Sequence, residues 1–161
     1  GQDPADALFD LLVEENLGIS TVGLDTNPHT LHTFVSHPSG MIASDAILFG
    51  EYPNPRSYGC FPIVLTEFVR AEKHLRLPEA IRKMTSFPAQ RLGLRDRGIL
   101  RNGFKADVVV FDPETIMDHA TFEDPHLLSQ GVRYVWVNGR QVVCDGVHTG
   151  TTPGRFVRPW E

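Results

Sequence analysis

Cysteine is scarce. Cys60 and Cys144 offer one possible pair and no CxxC spacing, which excludes a disulfide-framed scaffold and a cysteine-built zinc module. Two reduced thiols in a cytoplasmic protein are the simplest reading. Long apolar runs are also missing: the longest, such as Val108-Val109-Val110-Phe111, fall far short of the roughly 20 residues that cross a bilayer. The start, Gly1-Gln2-Asp3-Pro4, has neither the basic region nor the apolar stretch of a secretory signal. Positive charge is in the minority, with 15 Lys and Arg against 20 Asp and Glu and no basic cluster. Nucleic acid and membranes are therefore poor partners. Nor is there a GxSxG elbow, a glycine-rich phosphate loop, an internal repeat or a low-complexity segment.

What is present is a chain able to build a core. At 161 residues, 41% hydrophobic and 22% charged, it has the composition of one soluble domain, or one and a fraction. Such a chain buries roughly 68–70% of its unfolded surface. Asp3-Pro4 reads as a helix start, a capping carboxylate followed by proline, with Leu8, Leu11 and Leu12 at helical spacing and Gly18 as the stop. Ile19 to Leu24 reads as a short strand. Asn27-Pro28 repeats the cap-plus-proline signal for a helix to about Val35, and Met41 to Ser44 reads as a second, buried strand. Strand, helix, strand is the grammar of a parallel α/β unit.

Residues 46–60 carry Gly50, Pro53, Asn54, Pro55, Ser57 and Gly59 and read as a long loop. Helices are expected over Phe61–His74, from Pro78 to Met84, and from Pro88 to Leu92. From Gly98 the pattern turns to β: Asp107–Phe111, Val132–Val137 and Gln141–Cys144. Asn138-Gly139 between the last two is a hairpin signal. The boundary between the two parts falls near residues 94–103.

Chemistry concentrates in few places. Asp45 follows the Met41–Ser44 run, and in α/β sheets catalytic groups collect at the carboxyl ends of strands. An aspartate there is equally a turn or helix cap. Arg56, in the middle of the Gly/Pro loop, could grip a carboxylate through two parallel hydrogen bonds, or simply be solvated. His29 and His32 stand one helical turn apart and could share a metal, though no third ligand lies beside them in the sequence. His37 before Pro38 reads as a helix terminator. His119, His126 and His148 show no convergent spacing, and Glu114, Glu123 and Asp124 read as solvated charges.

These segments together resemble a known family. Met41-Ile42-Ala43-Ser44-Asp45 and Asn54-Pro55-Arg56-Ser57-Tyr58-Gly59-Cys60-Phe61-Pro62 are similar to the late barrel region of N-acyl-D-amino-acid deacylases (D-aminoacylases), of the amidohydrolase superfamily. The similarity continues through Ala80–Thr85, Pro88–Leu94, Asp96–Gly98, Gly103–Asp112, Ala120–Pro125, Val135–Gly139 and Thr149–Arg155, nearly the whole chain.

The resemblance implies a fold, the last part of a (β/α)8 barrel over residues 1–97 followed by an incomplete small β-sandwich over 98–161. It implies a zinc-dependent hydrolase that cleaves N-acyl-D-amino acids to a carboxylate and a free D-amino acid. Asp45 matches the aspartate acting as general base and acid, and Arg56 the arginine that holds the substrate carboxylate. The family's metal ligands, a cysteine and histidines on earlier strands, have no counterparts here; Cys60 is not that cysteine, and His29 and His32 match no functional position. Asn54 stands where many relatives have histidine. The chain is therefore expected to be a C-terminal portion, inactive on its own, that needs the missing N-terminal part and self-associates through exposed edges. The alternatives are a non-catalytic scaffold module that kept the fold, or a relative acting on cyclic amides, such as a hydantoinase.

Overall fold

The computed structural model describes residues 1–19, 27–48 and 53–158. Helices come first and strands last. Helix α1 (Pro4–Glu14) begins as expected, with the Asp3 carboxylate accepting the Ala5 N–H at 2.9 Å. It ends at the left-handed residues Asn16 and Leu17 rather than at Gly18. Helix α2 (Pro28–Ser36) starts on Asn27, whose side chain accepts the His29 N–H at 2.9 Å. It stops at His37, whose extended ψ of 132° is what a following proline demands.

The expected strand over Met41–Ser44 is not there; residues 41–48 are irregular. A buried strand needs neighbours to fill its ladder, and this segment is tied to a helix instead. Ile42 N–H donates to the Lys83 carbonyl at 3.1 Å, and the Lys83 ammonium donates to the carbonyls of His37 and Gly40. Lys83 is fully buried; burial pushes its pKa down because the charged form loses water. The strand expected over Ile19–Leu24 falls outside the described residues apart from Ile19.

The helix expected over Phe61–His74 starts earlier and changes pitch. Helix α3 (Arg56–Ile63) gives way to a π-helical segment over Val64–Ala71. Pro62 inside α3 has no N–H for the carbonyl of Tyr58, and that carbonyl accepts Ser129 Oγ at 3.3 Å. Helices α4 (Leu77–Met84) and α5 (Ser86–Arg91) follow, separated by Thr85, whose φ of −132° and ψ of −86° break the helical path.

Strands β1 (Val108–Phe111), β2 (Val132–Val137), β3 (Arg140–Cys144) and β4 (Val147–His148) form one antiparallel sheet in the order β1-β2-β3-β4. Asn138 and Gly139 turn β2 into β3 at φ 50° and 78°, the paired positive values of a type I′ turn. Asp145 and Gly146 do the same between β3 and β4, at 47° and 81°. The core joins both halves: Val64, Leu65 and Phe68 of the π-helical segment, Leu75, Ala80 of α4 and Ile116, with Phe111 and Val132 of the sheet packed on it. Among the described residues there is one sheet and no parallel strand pair, and no helix is long and apolar enough to cross a membrane.

Candidate functional site

The structure brings Asp45 and Arg56 together. Arg56 opens α3, and its Nη2 donates to Asp45 Oδ2 at 2.9 Å while its Nε donates to the Asp45 carbonyl at 3.3 Å. One guanidinium thus holds both side chain and main chain of one aspartate. Asp45 sits at φ +48°, a left-handed conformation that aspartate tolerates better than most residues. This kink, rather than a strand end, presents the carboxylate to solvent, with 80% of its side chain exposed.

The first turn of α3 is fastened to the Asp45 segment at further points. Ser57 Oγ donates to the Ile47 carbonyl at 3.2 Å and Cys60 Sγ to the Ala43 carbonyl at 3.4 Å. Asn54 Oδ1 accepts the Arg56 N–H at 3.0 Å, a local turn bond that sets where the arginine starts. Burial pushes the Cys60 thiol up; the Arg56 cation opposes that rise and Asp118 adds to it. The Cys60 contact with the Ala43 carbonyl is that of a neutral thiol donor.

Sequence reasoning missed Asp118. Its carboxylate fills the space that a Cβ on Gly59 would need, so a larger residue at 59 would have to displace the Asp118 side chain. Asp118 Oδ1 also accepts the Ala120 N–H at 3.0 Å. The available signal was local, a turn-forming aspartate two residues before Ala120; the approach to Gly59 is non-local. Tyr58 packs edge-on against His126 with ring centroids 5.6 Å apart.

The histidines divide. His37 Nδ1 accepts the Ser39 N–H at 3.2 Å, closing the end of α2 as expected. His119 Nε2 is 3.2 Å from Gln130 Oε1, and His148 Nδ1 accepts the Gly150 N–H at 3.0 Å. His29 and His32 do not form a metal pair: His32 lies against Glu72 and His74 instead.

Could the residues around Asp45 hold a metal? Among the described residues, three donors converge only at His32, Glu72 and His74, and the Asp45 carboxylate is already paired with the Arg56 cation. One carboxylate with an arginine on it does not fit a metal centre, which needs three or more protein donors.

An amidohydrolase family model matches residues 41–143. The N-acyl-D-aspartate deacylase of Alcaligenes xylosoxydans xylosoxydans is 47% identical over 125 residues, covering 77% of this chain and 25% of that protein. A crystal structure of D-aminoacylase, described as defining a novel subset of amidohydrolases, superposes with a TM-score of 0.76 at 38% identity, over 78% of this chain and 27% of that one. The N-acyl-D-glutamate deacylase of Bordetella bronchiseptica, solved with zinc and a phosphonate mimic of the tetrahedral intermediate, gives a TM-score of 0.71 at 38% identity, over 75% and 26% of the two chains. The chain spans about a quarter of the length of the relatives it matches.

Proposed function

The chain belongs to the amidohydrolase family, and from that premise we propose that it is the C-terminal portion of a zinc-dependent deacylase of N-acyl-D-amino acids. Residues 1–97 then form the last part of its barrel and 98–161 its β-sandwich segment. The metal is held by residues outside this chain, since the donors around Asp45 do not suffice. What the chain contributes is proton movement and an anion grip.

The observation that carries this reading is the Asp45–Arg56 pair. An amide is hard to cleave because its amine leaves poorly unless protonated. Asp45 takes a proton from the attacking water as the C–O bond forms, and returns it to the nitrogen as the C–N bond breaks. Arg56 has a planar, permanently charged fork suited to a carboxylate. An incoming substrate carboxylate competes with Asp45 for that fork, so substrate binding frees the base. Binding and activation are then one exchange of partners.

The test uses the full-length parent protein with zinc, comparing N-acetyl-D- with N-acetyl-L-amino acids. D-selective hydrolysis is expected, and Asp45→Asn should lower kcat by about 10²–10⁴-fold. Absence of D-selective hydrolysis, or an unchanged rate in Asp45→Asn, would sink the assignment.

A further inference from the structure

Three donor side chains away from the Asp45–Arg56 pair converge where α2 meets the end of the π-helical segment. His32 Nε2 is 3.1 Å and His74 Nε2 3.5 Å from the same oxygen, Glu72 Oε2. All three donor atoms lie within 4.8 Å of one another. Donors around a tetrahedral ion with bonds of about 2.0–2.2 Å stand roughly 3.3–3.6 Å apart. Two of the three spacings are therefore already near coordination distance.

The backbone is arranged to produce this meeting. Residues two apart on a helix point in different directions, yet Glu72 and His74 face the same place. Lys73 between them is left-handed, at φ 57°, and turns the chain back on itself. The π-helical stretch just before it is the other unusual feature. Both conformations are uncommon for ordinary residues and cluster at functional sites. His32 is held ready: its ring stands edge-on to buried Phe68, centroids 5.4 Å apart and planes at 85°. The three side chains keep between 27% and 43% of their surface exposed, so an ion from solvent can reach them.

We propose that His32, Glu72 and His74 bind a borderline divalent transition-metal ion of the Zn²⁺ class, with water completing the coordination. Two imidazole nitrogens and one carboxylate oxygen suit Zn²⁺ or Co²⁺ and are a poor set for Ca²⁺ or Mg²⁺, which take oxygen. The ion joins α2 to the segment leading into α4, across some 40 residues of chain, and stabilises the folded state by binding it preferentially. This site shares no residue with the proposed reaction and stands or falls separately from it.

The experiment titrates the metal-free 161-residue chain with Co²⁺, reading the visible ligand-field bands, then displaces Co²⁺ with Zn²⁺ and follows Tm. One equivalent is expected to bind with a rise in Tm. His32→Ala and His74→Ala should each weaken binding by about 100-fold, while His29→Ala and His126→Ala should leave it unchanged. Glu72→Gln keeps the side-chain shape and should also weaken binding, which keeps the test valid if a histidine variant loses its far-UV circular dichroism. No saturable binding, or equal affinity in Glu72→Gln and the parent chain, would overturn the proposal.

Discussion

The Arg56 guanidinium holds two oxygens of one residue, the Asp45 carboxylate and the Asp45 carbonyl. A lysine ammonium is a point charge and cannot span both with the same geometry. For the proposed deacylase reaction, Arg56→Lys in the longer parent protein should therefore raise KM for the N-acyl-D-amino acid by roughly tenfold or more, with a smaller change in kcat. A fall in kcat at constant KM would instead place Arg56 in the chemical step. Lys83 gives a second residue-scale prediction. Its folded-state pKa lies below the ordinary value near 10.4, so the unfolded chain holds the proton more tightly. The penalty of burying the charge is full below the lowered pKa and fades as pH rises toward the ordinary value. Urea midpoints of the parent chain should therefore rise relative to Lys83→Met as the solution is made more alkaline; the opposite slope would refute the burial argument. Asp45 and Arg56 were legible because each lies inside a contiguous motif. Glu72 and His74 were not, because a lysine at φ 57° carries no local signal for the turn it makes.

Among the elements, two glycines in left-handed turns separate backbone strain from steric collision. Gly139 sits at φ 78°, and a Cβ added there would meet nothing within 4 Å, so Gly139→Ala should destabilise by only about 1 kcal/mol. Gly131 sits at φ 90° with the Ile116 backbone inside the space a Cβ would take, directly behind the core. Gly131→Ala should lose roughly 3 kcal/mol or more. Chemical denaturation of the two variants checks this, and equal losses would refute the packing account. Helix starts at Asp3-Pro4, Asn27-Pro28 and Pro78, and the Asn138-Gly139 hairpin, were readable because capping and turn chemistry are local. The strand expected at Met41–Ser44 was not, because a ladder depends on partners elsewhere in the chain. Apolar spacing points to a single helix over Phe61–His74 because it does not register what Pro62 does to hydrogen bonding.

At the scale of the molecule, a groove of about 530 Å³ runs between α4 and β1, lined by Pro78, Ile81, Ile99, Leu100, Val108 and Phe111 among others. Val109 and Val110 of β1 are also exposed, and among the described residues β1 has a neighbour on one side only. Apolar surface beside an open strand edge favours pairing with another chain. Light scattering on the 161-residue chain should show concentration-dependent self-association, reduced by Val109→Lys. A monomer at high concentration would contradict this. The helix-to-strand order was visible in the composition shift after Gly98; the closeness of the two halves was not, because Ile116 joins the helical core from within an irregular stretch.

Ser129 reaches the Tyr58 carbonyl across 71 residues, and Asp118 comes up against Gly59 from nearly as far along the chain. The helix that carries Arg56 therefore takes two of its contacts from residues made long after it. A chain cut short before Asp118 would keep the Asp45–Arg56 pair and lose these contacts to the helix that Arg56 opens.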